Sequence, residues 1–319
     1  MPVFNGNKNL VRAAAASAVE CLDEGIELLV VDSGSSRPVE NDWMPDHPQA
    51  RLVLFEENLG LFANWNRAMN LCKGEFVWAL CADDRIVPET FKKCVTIMRD
   101  NPQIALVSTI GQLQTIGQQN IGVIGHRFAA GIYNGPAAGK VLMNFYTKTV
   151  INPFNYPSGI LMRRTVMEKT GGFDVAVKHV GDLDLYFRML AHGDLCILAE
   201  AGSIVTIHEA QTGKTLAHTP LGLIELQNMV KKLSYLPPQE REQECARLRG
   251  VLWLWAIKFV AQGNFLSAKN YLAFSLKNNP MIGVFSLVQI VFWKIFIMFP
   301  VGRHHWQSRL DQTQKSSAS

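Results

Sequence analysis

The feature that most limits how this chain can fold is a repeated pairing of a short apolar run with a helical segment. Glu27–Val31 (ELLVV), Arg51–Phe55 (RLVLF), Phe76–Leu80 and Ile104–Ser108 are apolar runs rich in β-branched residues. They are about five residues long, the length of a buried strand. Helical patterns lie beside them: Asn7–Leu22, where Leu10, Ala14, Ala18 and Cys21 recur at helical spacing, then Leu61–Cys72, then a segment from Pro88 to Asp100. Pro88 suits a first helical turn, where its missing N–H costs nothing. This alternation predicts an α/β fold with a mostly parallel sheet covered on both faces by helices. Ligands in such sheets bind beyond the carboxyl ends of the strands. Asp32 and the adjacent pair Asp83–Asp84 fall at such ends. Two neighbouring carboxylates raise each other's pKa unless a cation or solvent relieves them. The pair therefore reads either as a solvated strand end or as a metal or phosphate site.

Composition removes several alternatives. The net charge of +4 is small for 319 residues, and no arginine-rich run or basic–aromatic interleaving occurs, so nucleic acid is excluded as a partner. The six cysteines form no CxxC pair, which argues against a zinc knuckle or redox motif and for buried, reduced thiols in a cytoplasmic protein. The opening MPVFNGN has no basic head or apolar core of a signal peptide. No GxGxxG stands between a first strand and helix, which sets aside a dinucleotide-dependent oxidoreductase.

Further along, Gly111–Gly139 is rich in Gly, Gln and Asn and reads as irregular loop with room for a hairpin. A helix is expected near Arg164–Thr170, a turn at GGFD (Gly171–Asp174), a helix over Asp182–His192 with Asp182 as its N-cap, and a strand Ile204–Ile207 ending at His208. The predicted organisation is a catalytic unit over 1–218, a helical region over 219–302, and a polar, disordered tail over 303–319. Within the helical region Met281–Val301 is almost wholly apolar but carries Lys294. A lysine at a bilayer centre costs about 2.5–3.5 kcal/mol. A helix lying on the membrane, a single span and a core helix are all open, with membrane association favoured.

Several stretches in order resemble the family 2 glycosyltransferases, whose fold is the nucleotide-sugar-binding GT-A fold. They are MPVFNGNKNL (1–10), LLVVDSGSS (28–36), ENLGLFANWNRAMNLCKGEFVWALCADD (57–84), GGFD (171–174) and GDLDLYFRM (181–189). The resemblance implies transfer of a sugar from a nucleotide-diphosphate donor to a saccharide or lipid-linked acceptor, with inversion at the anomeric carbon, in cell-surface glycan or polysaccharide assembly at the cytoplasmic face of a membrane. It implies a divalent cation, Mn²⁺ or Mg²⁺, which neutralises the departing diphosphate. Carried over by position, Pro2, Asn5, Asp32, Asn58, Gly60, Asn66, Arg67 and Asp83 would contact the donor, with Asp32 toward the base. Asp83, Asp84 and His208 would hold the metal, and Asp182 would be the general base. The chain departs from the family pattern where an acid is expected, at Cys81 and Gly181. By this pattern its first strand is expected to be absent or truncated, which predicts poor solubility. These departures keep a second class in view, a non-catalytic nucleotide-sugar-binding or scaffold protein.

Overall fold

In the computed structural model, residues 1–125, 127–208, 221–277, 289, 291–292 and 300–314 are described. The amino-terminal part builds a three-stranded parallel sheet in the order β1 (Pro2–Val3), β2 (Leu28–Ser33), β3 (Ala50–Phe55). All six residues of β2 are buried, as a strand covered on both faces requires. Helix α1 (Lys8–Val19) starts where the Asn7 side chain accepts from the N–H groups of Asn9 and Leu10. It buries Val11, Ala14, Ala15 and Ala18. Helix α2 (Leu61–Asn70) starts at Gly60, whose φ of 93° is open to glycine and strained for other residues. The short β1 is continued by the Met1 ammonium group, which donates to Leu29 O at 2.7 Å. Burial depresses the pKa of that amine to about 6.

The second sheet is mixed. Its order is β4 (Phe76–Trp78), β9 (Ile160–Arg163), β6 (Ile104–Thr115), β10 (Asp194–Ile207), β5 (Arg85–Ile86). The long β6 and β10 pair in parallel through its centre, and the flanking pairs are antiparallel. Helix α3 (Pro88–Asp100) covers one face, burying Phe91, Cys94, Val95 and Met98. Helix α6 (Gly181–Met189) and α4 (Gly135–Thr149) belong to the larger core on the other side.

The Gly111–Gly139 stretch is more regular than expected. β6 runs on to Thr115 and turns back into β7 (Asn120–Ile124), while β8 (Gly131–Tyr133) pairs with β10. Asn134 then caps α4 with its side chain, and a proline sits in the first turn. Sequence composition at the hairpin masked a strand whose partners are supplied by the rest of the sheet. The strand predicted at Ile204–Ile207 begins ten residues earlier and crosses register shifts near Ala201.

The carboxyl-terminal helices α7 (Leu221–Lys232), α8 (Pro238–Ala261) and α9 (Phe265–Lys277) join the same core as α4 and α6. The segment expected to be a disordered tail instead contains α10 (Pro300–Asp311). Trp306 and Leu310 are buried, and the Trp306 ring meets Phe145 of α4 edge-on at 5.4 Å. One aromatic and one aliphatic side chain four residues apart, on one face, dock a helix whose remaining residues are mostly polar. Among the described residues no helix is long and apolar enough to cross a membrane. Most of Met281–Val301 lies outside the described residues.

Candidate active site

The acidic pair sits in the turn between β4 and β5 of the second sheet. Its two members have different surroundings. Asp83 keeps a 30%-exposed side chain and meets His208 Nε2 at 2.9 Å. Asp84 is buried, and each of its oxygens has a partner: Ser158 Oγ donates at 2.6 Å and Thr206 N at 3.0 Å. Burial, then the adjacent Asp83 charge, raises the Asp84 pKa to about 7. Ser158 also accepts from Cys81 N at 2.9 Å, so one hydroxyl ties the Cys81–Asp84 turn to the Asn155–Gly159 segment. Asp84 therefore works first as the fastener between this turn and β10.

The ligand atoms of Cys81, Asp83 and Asp84 lie within 4.8 Å of one another. Cys81 is held as a neutral thiol, because burial and then the charges of Asp84 and Asp83 push its pKa well up. Asp83, partly open to solvent and backed by an imidazole, is the member with oxygen free to receive a hard cation. The donor set fits one divalent ion better than a clamp of two carboxylates.

Asp182 lies in the first turn of α6, where the helix dipole favours a carboxylate. It is not the N-cap; Val180 occupies that place and makes no side-chain bond there. Instead Asp182 Oδ1 accepts from Leu183 N at 2.9 Å. Burial raises its pKa to about 6. The Asp182 charge bears on Cys81 of the acidic turn and on Tyr146, Tyr156 and Tyr186. The loop entering α6 is gripped from the carboxyl-terminal region: Glu225 of α7 accepts from the N–H groups of Lys178, His179 and Val180 at 2.8, 2.8 and 3.4 Å.

Asp184 faces elsewhere. It is fully buried and pairs with Arg188 at 2.6 Å. Arg188 also donates to Thr170 O and Gly172 O, fixing the GGFD turn against α6. Gly181 has a steric reason. A Cβ there would stand 2.4 Å from the Phe62 ring, which itself stacks on Phe173 at 5.2 Å. The acid expected at this position has no room.

Several residues expected to meet the donor also bond within the protein. Both oxygens of Asp32 accept backbone hydrogens, from Ser35 at 2.9 Å and Val39 at 2.8 Å, and its side chain is buried. It closes the loop after β2, the structural role open to any strand-end Asp. Asn66 binds both polar groups of the Phe173 backbone. Arg67 donates to Glu57 O and Asn64 Oδ1 and lies 3.9 Å over the Phe55 ring. Asn58 Oδ1 accepts from Gly60 N and Asn64 Nδ2. Asn5 accepts from Ser36 N and Oγ. Pro2 pairs with Val31 inside the sheet. Intramolecular bonds thus fix the side chains of Asp32, Asn66, Arg67, Asn58 and Asn5 in place. Asp83 and His208 pair with each other, and Asp182 accepts only from its neighbour Leu183 among the described residues.

Three contributors carried no motif: Ser158, Thr206 and Glu225. Each acts on a residue at least 45 positions away, so no local pattern marks it. The Tyr-Pro-Ser-Gly turn at 156–159 was the one local signal, since Pro and Gly punctuate loops that carry function.

The sequence model of Glycosyl transferase family 2 matches residues 1–171, more than half of the chain. The chain belongs to this family. It is 22% identical to a chondroitin synthase of Escherichia coli over 192 residues, which cover 59% of this chain and 26% of that protein. It is 24% identical to an uncharacterized glycosyltransferase of Rickettsia typhi over 217 residues, covering 67% of this chain and 65% of its relative. This family 2 chain thus matches about a quarter of the first of these proteins. Among solved structures it shares its fold with S. aureus TarS residues 1–349, crystallised with UDP-GlcNAc: TM-score 0.62, 13% identity, 98% of this chain and 90% of that one. The GT-A architecture is common to both.

Proposed function

We propose that this chain transfers a sugar from a nucleoside diphosphate sugar to a hydroxyl acceptor, with inversion, in the assembly of a cell-surface glycan at the cytoplasmic face of a membrane. The observation that supports the reading is a half-buried, proton-avid Asp182 whose charge bears on Cys81, in the turn that carries the Asp83–His208 pair. Asp182 takes the proton of the acceptor hydroxyl as that oxygen bonds to the anomeric carbon, and the bond from that carbon to the diphosphate oxygen breaks on the opposite side. A divalent cation, when bound, offsets the charge that the leaving diphosphate gains. Asp83 and His208 would hold it, and Asp84 keeps their turn fixed against β10. The loops shaped by Asp32, Asn5 and Asn58 form the rim on the donor side. Gly181 does not argue for a degenerate scaffold, because Phe62 fills the space its missing side chain would need.

Calorimetric titration with UDP tests the donor half. Binding is expected with Mn²⁺ and lost with chelator. Asp83→Ala is expected to weaken it at least about thirtyfold, since even outer-shell partners of a metal are worth about 10–100-fold in affinity. Cation-independent binding that Asp83→Ala leaves intact would overturn the assignment of the metal carboxylate.

A further inference from the structure

The first turn of α6 lacks both residues that ordinarily close a helix start. In a capping box the N-cap side chain bonds the N3 N–H, and the N3 side chain bonds the N-cap N–H. Here those positions are Val180 and Leu183, whose side chains carry no polar atom. Asp182 takes over one half: its Oδ1 accepts from Leu183 N at 2.9 Å. Glu225 of α7 takes over the other from 45 residues further on, accepting from Val180 N at 3.4 Å. The same carboxylate accepts from Lys178 N and His179 N, both at 2.8 Å, so each of its oxygens faces a backbone N–H. Its side chain is only 13% exposed, which shields these bonds from water. The cap of α6 is thus shared between the candidate base and a side chain of another helix.

Three further contacts seat α7 against the same segment. Gly222 lies one turn before Glu225 on the same face, and a Cβ there would stand 3.6 Å from the Cβ of His179. Lys232, at the other end of α7, donates to Asp174 of the GGFD turn. Just beyond, the Tyr235 hydroxyl donates to Phe187 O of α6 at 3.1 Å. Gly181 is closed in by the Phe62 ring, so the chain between Val180 and Asp182 has little room to settle elsewhere. We propose that Glu225 is a positioning residue for Asp182: it supplies the half of the cap that the sequence of α6 lacks, holds the start of that helix, and so aims the carboxylate at the acceptor hydroxyl. On this reading the catalytic unit extends past residue 218 to include α7. Glutamine cannot stand in for Glu225. Both of its oxygens face N–H donors, so an amide sets one N–H against another in either orientation.

This inference rests on the reading of Asp182 as the base, but its test is separable. Carbon-13 carboxyl NMR of the aspartate-labelled full chain reads Asp182 directly, its signal assigned by its loss in Asp182→Asn. In wild type the carboxyl is expected to titrate at about 6. In Glu225→Gln and Glu225→Asp it should titrate about one pH unit lower, a tenfold weaker hold on the proton, because a loosened helix start lets water reach the carboxylate. Glu225→Asp keeps the charge and shortens the reach by one methylene, so a change in both variants separates position from charge. Affinity for UDP with Mn²⁺ should stay within about twofold of wild type, while kcat falls about tenfold or more, the effect of a misplaced base. An Asp182 titration within about 0.3 pH unit of wild type in both variants, or a change in Glu225→Gln alone, would overturn the positioning role. If instead Asp182→Asn leaves turnover intact, the reading of Asp182 as the base fails and the coupling between Glu225 and Asp182 stands.

Discussion

Asp182→Asn is expected to lower turnover by about 10³-fold, within the range a positioned general base contributes, while the protein stays folded and still binds UDP with Mn²⁺. The amide keeps the oxygen that accepts from Leu183 N and loses only the ability to take a proton. The pH dependence follows from the same carboxyl. Burial raises its pKa to about 6, and the base acts only when deprotonated. In wild type, kcat/KM should therefore fall about tenfold per pH unit below that value and level off above it. Stability carries the opposite sign. The folded state holds this proton more tightly than the unfolded chain, so stability declines as pH rises from the ordinary value of 3.8 to about 6, and the full cost is present above it. At pH 8 Asp182→Asn should melt about 2–5 °C higher than wild type, the effect of about 1–2 kcal/mol in a protein of this size. The gain should vanish near pH 4. A variant that is inactive but melts lower at pH 8 would show that Asp182 supports the fold and not the reaction.

What the sequence made legible follows from how far each interaction reaches along the chain. The strands at 28–33 and 50–55 and helices α1, α2 and α3 are local: periodicity, an Asn cap and a Pro in the first turn suffice. The position of Asp83 at a strand end is local too. The different fates of Asp83 and Asp84 are not. They are set by Ser158 and Thr206, 74 and 122 residues further on, which take the second carboxylate out of solvent and leave the first beside His208. Asp32 adds a local role to its motif: the loop it begins supplies one backbone hydrogen to each of its oxygens within seven residues. The docking of α10 was hidden because Trp306 and Leu310 stand in a mostly polar segment, and the Phe145 ring that meets Trp306 lies on α4, far away in the sequence.

The same reasoning gives a second strong expectation, at the position where this chain lacks the acid its family pattern favours. Restoring that acid should damage the protein. Any side chain at Gly181 begins with a Cβ 2.4 Å from the Phe62 ring, and that ring is held by Phe173 at 5.2 Å in a nearly parallel stack. The ring can yield only by leaving the stack and pressing on a core that is already close-packed. Gly181→Ala should cost about 1–3 kcal/mol in urea unfolding, the usual cost of overpacking. Gly181→Glu should cost more, because its carboxylate would also be driven toward Asp182 and the apolar Phe62–Phe173 pair. Turnover should drop in both, since the first turn of α6 carries Asp182 and must shift to make room. Phe62→Ala should itself destabilise by about 3–5 kcal/mol, yet it opens the space that a Cβ at 181 requires. The double variant Gly181→Ala/Phe62→Ala should therefore be more stable than the sum of the single losses predicts, by about 1 kcal/mol or more, as expected for residues in direct contact. Additivity within about 0.5 kcal/mol would mean that Phe62 does not occupy the missing side chain's place. The glycine would then need another explanation, and the absence of the acid would again count as a mark of lost catalysis.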